Sequence, residues 1–140
     1  MKNSLLNSRV INADLAALLL RLIFGGLFIY HGYIKIVSYD KILPMFKDLI
    51  GIGAKLSFNL VIFAEFFCGF LIVVGYVTRL AVIVIFINMS VAFFMAHAKD
   101  KFMMKELPFL FWLLCFVVFI LGSGKYSLDR LVFRNRDPES

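Results

Sequence analysis

The chain has 140 residues, 62% of them hydrophobic, with a mean hydropathy of +0.93 and a formal net charge of +6. Ordinary globular chains are about 45–50% apolar, and a soluble domain of this size still leaves roughly a third of its surface in water, so the composition excludes a soluble domain and predicts lipid as solvent for much of the surface. No basic run interleaved with aromatics stands on a polar segment, which excludes a nucleic-acid footprint and assigns the positive charge to Lys and Arg beside anionic head groups.

With only three Pro and nine Gly there is little room for linkers, and 1–140 reads as one domain. The first apolar segment runs from about Leu15 to Val37, with Asp14 placed to cap it. Lys2 and Arg9 precede it as in a signal peptide. However, no small-x-small cleavage site follows and the stretch is too long for an h-region, so a retained helix is expected. From Ser38 to Lys55, Ile42, Leu43, Phe46, Leu49 and Ile50 recur at helical spacing with Lys41, Lys47 and Asp48 between them. That pattern fits a short amphipathic helix in the interface, and equally a folded loop covering the end of a bundle.

The second segment spans about Ser57 to Val74 and the third about Arg79 to His97. Gly75 can supply the left-handed residue that ends one helix and Thr78 can cap the next, a turn short enough to force an antiparallel hairpin. The fourth segment, about Leu107 to Leu121, is short against the ~20 residues a bilayer core needs. Extending it back to Phe102 restores the length, with Pro108 opening or kinking the helix there. Gly122-Ser123-Gly124 stops it, and a polar, basic tail occupies 125–140. The expected class is all-α: an integral membrane four-helix bundle with a short amphipathic interfacial helix between the first and second spans. Charge does not orient it, since Lys2, Arg9, Arg79, Lys125, Arg130, Arg134 and Arg136 oppose Lys35, Lys41, Lys47, Lys55, Lys99, Lys101 and Lys105, seven against seven.

Ionisable groups inside spans are costly and usually serve a purpose. Here they are Arg21, His31, Glu65 and His97, with Lys35, Arg79 and Glu106 near the ends. At 100° per residue Arg21, His31 and Lys35 share a sector of ~80°, a polar stripe ~21 Å long. A carboxylate at the depth of Glu65 is protonated or finds a cation, and Arg21 is the natural partner by its two-pronged geometry. That pair would fix helix register, or belong to a pocket for a ligand head group or a proton. His31 reads as a hydrogen-bonded bundle residue or a site residue. A metal site needs three or four ligands, so His31 reads as a bundle residue rather than a metal ligand and no metal is expected; two histidines also cannot build the paired axial sites of a multi-haem protein. Cys68 reads as a small packing residue, since apolar surroundings raise a thiol's pKa. No Cys-x-x-Cys-His, dinucleotide fingerprint, phosphate loop, nucleophile elbow or zinc-protease motif is present. No covalently bound cofactor is therefore expected, and a redox role would use a diffusible lipid such as a quinone or a cofactor on a partner.

Arg21-Leu22-Ile23-Phe24-Gly25, followed by His31-Gly32 and Lys35, then Glu65, Gly69, Gly75 and Thr78-Arg79, and finally Gly122-Ser123-Gly124-Lys125-Tyr126-Ser127-Leu128-Asp129, come in an order and spacing that resemble the DoxX family of small membrane proteins, over about Leu15 to Val132. Ser123 stands where the closing signature more often has Pro. The resemblance implies four helices with both termini cytoplasmic, and a place near respiratory or sulfur redox chemistry, since founding members are subunits of a thiosulfate:quinone oxidoreductase. It marks Gly25, Gly69, Gly75, Arg79, Gly122, Gly124, Tyr126 and Asp129 as structural. Arg21, His31, Lys35, Glu65 and His97 are left as the candidate polar pocket. The expected role is a quinone-linked membrane subunit in the cell membrane, the alternative a non-catalytic anchor; a redox partner protein and a homo-oligomer both remain open.

Overall fold

A computed structural model describes residues 4–134. Residues 1–3 and 135–140 lie outside it, Lys2 and Arg136 among them. After a 3-10 turn at Ser4–Leu6 come α1 (Ala13–Val37), α2 (Tyr39–Ile42), α3 (Ala54–Val74), α4 (Thr78–Ala96), α5 (Phe102–Leu121) and α6 (Leu128–Phe133). Four of these, α1, α3, α4 and α5, are long and apolar enough to cross a membrane. The large apolar residues they expose, among them Ile23, Leu80, Ile87 and Ile120, suit a lipid solvent. Phe24, Phe28, Cys68, Ile72, Val82, Ile85, Phe111, Cys115 and Val118 form the core between them, so Cys68 packs as expected.

The start of α1 differs from expectation. Asn12, in extended conformation, is the cap and accepts from the Leu15 N–H at 3.0 Å. Asp14 already lies inside the first turn and accepts from the Lys125 N–H instead. The connection to α3 is helical only through α2 and a 3-10 turn at Leu43–Met45, where Pro44 brings no N–H to continue the ladder. The expected short helix is thus present over Tyr39–Ile42 and its 3-10 continuation, and the remainder of the connection is a folded loop. Asp48 gathers the N–H groups of Gly51, Ile52 and Gly53 and the Ser57 hydroxyl, while Tyr39 and Phe46 both pack on Phe58.

These bonds, the one from Gly53 foremost, hold the Asp48 carboxyl below the usual carboxylate range. A depressed acid stabilises fully above its unfolded pKa, and that contribution is lost as pH falls through the lower folded value. Amide exchange at Gly51–Gly53, corrected for intrinsic rates, should therefore lose protection on strong acidification. An Asp48→Asn variant should start with weaker protection and lack that acid step.

α1 and α3 approach through small residues, the usual means of close packing in lipid. A methyl group at Gly25 would meet the Gly69 carbonyl oxygen at 2.8 Å, and one at Gly32 would meet the Phe66 backbone nitrogen and Cβ at 2.7 Å. Gly32→Ala should destabilise by about 1–3 kcal/mol, the usual cost of overpacking, because backbone cannot yield as a side-chain tip can. A thermal midpoint in detergent equal to wild type would show that the helices part freely there.

At the α3–α4 turn Gly75 is left-handed (φ 74°), and the Tyr76 N–H returns to the Leu71 carbonyl. Thr78 does not cap α4: the cap position is Val77, itself left-handed at φ 44°, while the Thr78 hydroxyl lies 2.9 Å from that of Ser123, whose one proton goes to Asp129. α5 runs unbroken from Phe102 with Pro108 inside it, so Pro108 does not open the helix, and Met104 loses the N–H that would have bonded its carbonyl.

Candidate functional site

The five candidate residues divide between the two ends of the bundle. Arg21 is 1% exposed and faces the end where the termini lie. Its Nη2 donates to the Tyr126 carbonyl at 2.5 Å, its guanidinium packs where a side chain on Gly75 would stand, and the Asp129 charge acts on it. Nε and Nη1 have no hydrogen-bond partner among the described residues. The closing signature folds beneath the bundle to make this contact. Asp129 accepts the Val77 N–H at 2.8 Å and, very closely, the Ser123 hydroxyl, while its own N–H donates to the Gly75 carbonyl. Arg79 bonds the Phe119 carbonyl at 3.0 Å beside Gly122, satisfying an orphan acceptor of the last turn of α5.

The expected Arg21–Glu65 pair is absent. Glu65, 5% exposed, is 2.6 Å from the Lys35 ammonium, and its other oxygen accepts from the Asn88 amide at 3.4 Å. Register is the cause. Because Gly32 packs on Phe66, the neighbouring Glu65 lies level with His31 and Gly32, ~16 Å along α1 from Arg21 at 1.5 Å per residue. Side chains also lean toward their helix N-terminus, so on antiparallel helices Arg21 and Glu65 lean apart while Lys35 and Glu65 lean together.

At the loop end His31, Lys35, Glu65 and His97 line one cavity of about 450 Å³. Phe28, Phe111, Met89 and Leu107 supply much of its apolar wall, and Phe46 and Leu49 bring the connecting loop against it. The His31 ring lies edge-on to Phe111 and has no polar partner among the described residues. His97 is less enclosed, its Nδ1 2.7 Å from the Asp100 carboxylate. Glu106 is exposed and outside the lining.

Both helices facing the α1 histidine widen where they border the cavity. In α3 the turn Phe63–Phe67 is π-helical and carries Glu65; in α4 the turn Ala92–Ala96 is π-helical and presents His97. Such turns recur at functional sites because the extra residue re-aims its neighbours. Nothing in the apolar pattern marks them. A second, apolar groove of about 270 Å³ between α3 and α4 shares Phe46, Leu49, Val61, Asn88 and Val91 with the cavity. Among the described residues no three His, Cys, Asp or Glu side chains converge as metal ligands do.

Comparison with curated proteins and with solved structures yields no match. The family model described as DoxX matches residues 16–98, which takes in α1, α3, α4 and the cavity's His31, Lys35, Glu65 and His97, and stops short of α5 and the closing signature. Since that match covers more than half of a chain with four membrane-spanning helices, the protein is a multi-pass membrane protein and belongs to the DoxX family.

Proposed function

We propose that the loop-end cavity takes the head group of a quinone, and that the protein serves as the membrane subunit of a quinone-linked redox system. The observation that carries this reading is His31, an imidazole without a polar partner among the described residues, set in an apolar cavity that also holds the Lys35–Glu65 pair. The volume falls in the ~300–1,000 Å³ range of small-molecule sites, and a largely apolar lining with a few converging polar groups is their usual composition. The adjoining groove offers an isoprenoid tail an apolar bed beside the head group. An anchor would instead be expected to seal its polar groups. Arg21 is sealed; His31 is not.

An imidazole can give or take a proton at a quinone oxygen, with Lys35 one turn along α1 and Glu65 across on α3 to balance charge. The two electrons of quinone reduction come, in this reading, from a redox cofactor on a partner protein. The termini are then cytoplasmic, as the family suggests, and the cavity occupies the outer half of the membrane. Titration of a ubiquinone or menaquinone analogue into purified protein tests the site: His31→Ala and Glu65→Gln, folded by circular dichroism, should bind at least tenfold more weakly. Wild-type affinity in both would return the cavity to a structural role.

A further inference from the structure

The opposite end of the bundle holds a second concavity, of about 690 Å³, between the start of α4, the end of α5 and α6. Its charged lining is Arg79, Arg130, Arg134 and Asp129, three cations against one carboxylate. The carboxylate is already engaged by the Val77 N–H and the Ser123 hydroxyl. Neither Arg130 nor Arg134 has a side-chain hydrogen bond or ion pair among the described residues, and Arg79 spends only its Nε in hydrogen bonding while its guanidinium lies over the Phe119 ring at 5.8 Å. Three arginines with free donors line this one hollow, and the guanidinium fork matches phosphate oxygens; the Thr78 and Ser127 hydroxyls in its wall are already bonded to Ser123 and to the Gly124 carbonyl.

The position identifies which phosphate. Leu80 and Leu121 form the membrane-side rim, and beyond them Ile83, Phe119 and Ile120 are exposed on the outer faces of α4 and α5. A phosphate seated at the arginines would have acyl chains running down that apolar surface. A free phosphate would leave it unused. We infer that this hollow binds the head group of an anionic phospholipid, its phosphodiester on Arg79, Arg130 and Arg134, on the leaflet facing the termini. The site is independent of the quinone cavity, which lies at the other end of the bundle.

Native mass spectrometry of the full chain, exchanged from detergent with equimolar phosphatidylglycerol and phosphatidylcholine, tests it. Wild type should retain phosphatidylglycerol at least fivefold over phosphatidylcholine. Arg130→Gln with Arg134→Gln, both exposed residues whose loss disturbs no described side-chain contact, should bring the ratio near one. Inorganic phosphate at millimolar concentration should neither bind measurably nor displace the lipid. Equal retention of the two lipids by wild type overturns the inference without recourse to a variant. An unchanged ratio in the double variant removes the arginines from the site, and phosphate displacing the lipid stoichiometrically reassigns the hollow to a soluble anion.

Discussion

Lys35→Ala should lower the stability of the bundle by about 2–4 kcal/mol. Glu65 lies inside a span with 6% of its side chain exposed, and its ammonium partner is 2.6 Å away. Removing one member of a buried pair strands the other charge, at ~3–5 kcal/mol when both are enclosed. The Lys35 side chain is 25% exposed, and solvent screening brings the expectation down. Lys35→Met with Glu65→Gln should recover most of the loss, because an apolar replacement for a whole buried pair is often neutral or better. The cycle therefore shows strong coupling. Arg21→Met and Glu65→Gln, some 16 Å apart by helix rise, should add within ~0.5 kcal/mol. Coupling between Arg21 and Glu65, with none between Lys35 and Glu65, would mean that α1 and α3 pack in another register.

At the opposite end Asp129→Ala should cost about 2–4 kcal/mol, by two routes. The Val77 N–H loses its acceptor in a turn where Val77 is already left-handed, and Ser123 loses its tightest contact. Arg21, 1% exposed with two nitrogens unpaired, also loses the negative charge nearest it in effect. The routes separate experimentally. Val77→Gly should relieve the backbone strain in either background, whereas Arg21→Met should recover stability only where Asp129 is absent. Thermal midpoints in one detergent would record both, and a loss that Arg21→Met leaves unchanged would confine Asp129 to the turn.

The four spans and their ends were legible because apolar run length and glycine placement are local properties. Gly75 and Gly122 stop helices where they stand in the chain. The candidate polar residues were also legible, since any charge within an apolar run draws notice. Their partners were not. Glu65 meets Lys35 rather than Arg21 because Gly25 on Gly69 and Gly32 on Phe66 set the offset between two helices, a property of neither helix alone. The apolar spacing of the connection fits helix and loop equally, and Asp48 decides it by collecting three N–H groups that a helix would have used itself. Asp14 and Thr78 have cap chemistry, yet each sits one or two positions inside its helix, where the side chain is taken by a distant segment. The closing signature shows its meaning only in three dimensions, as the plug that holds Arg21 and the α3–α4 turn.

Quinone occupancy of the loop-end cavity is read as the quinone-to-protein ratio after extraction from native membranes in mild detergent, for wild type and for Ala92→Phe, which adds a ring at the cavity wall and leaves His31, Lys35 and Glu65 unsubstituted. The expected ratio is near one for wild type and near zero for the filled variant. An equal ratio in the two proteins, or no quinone with wild type, rules out a quinone in this cavity.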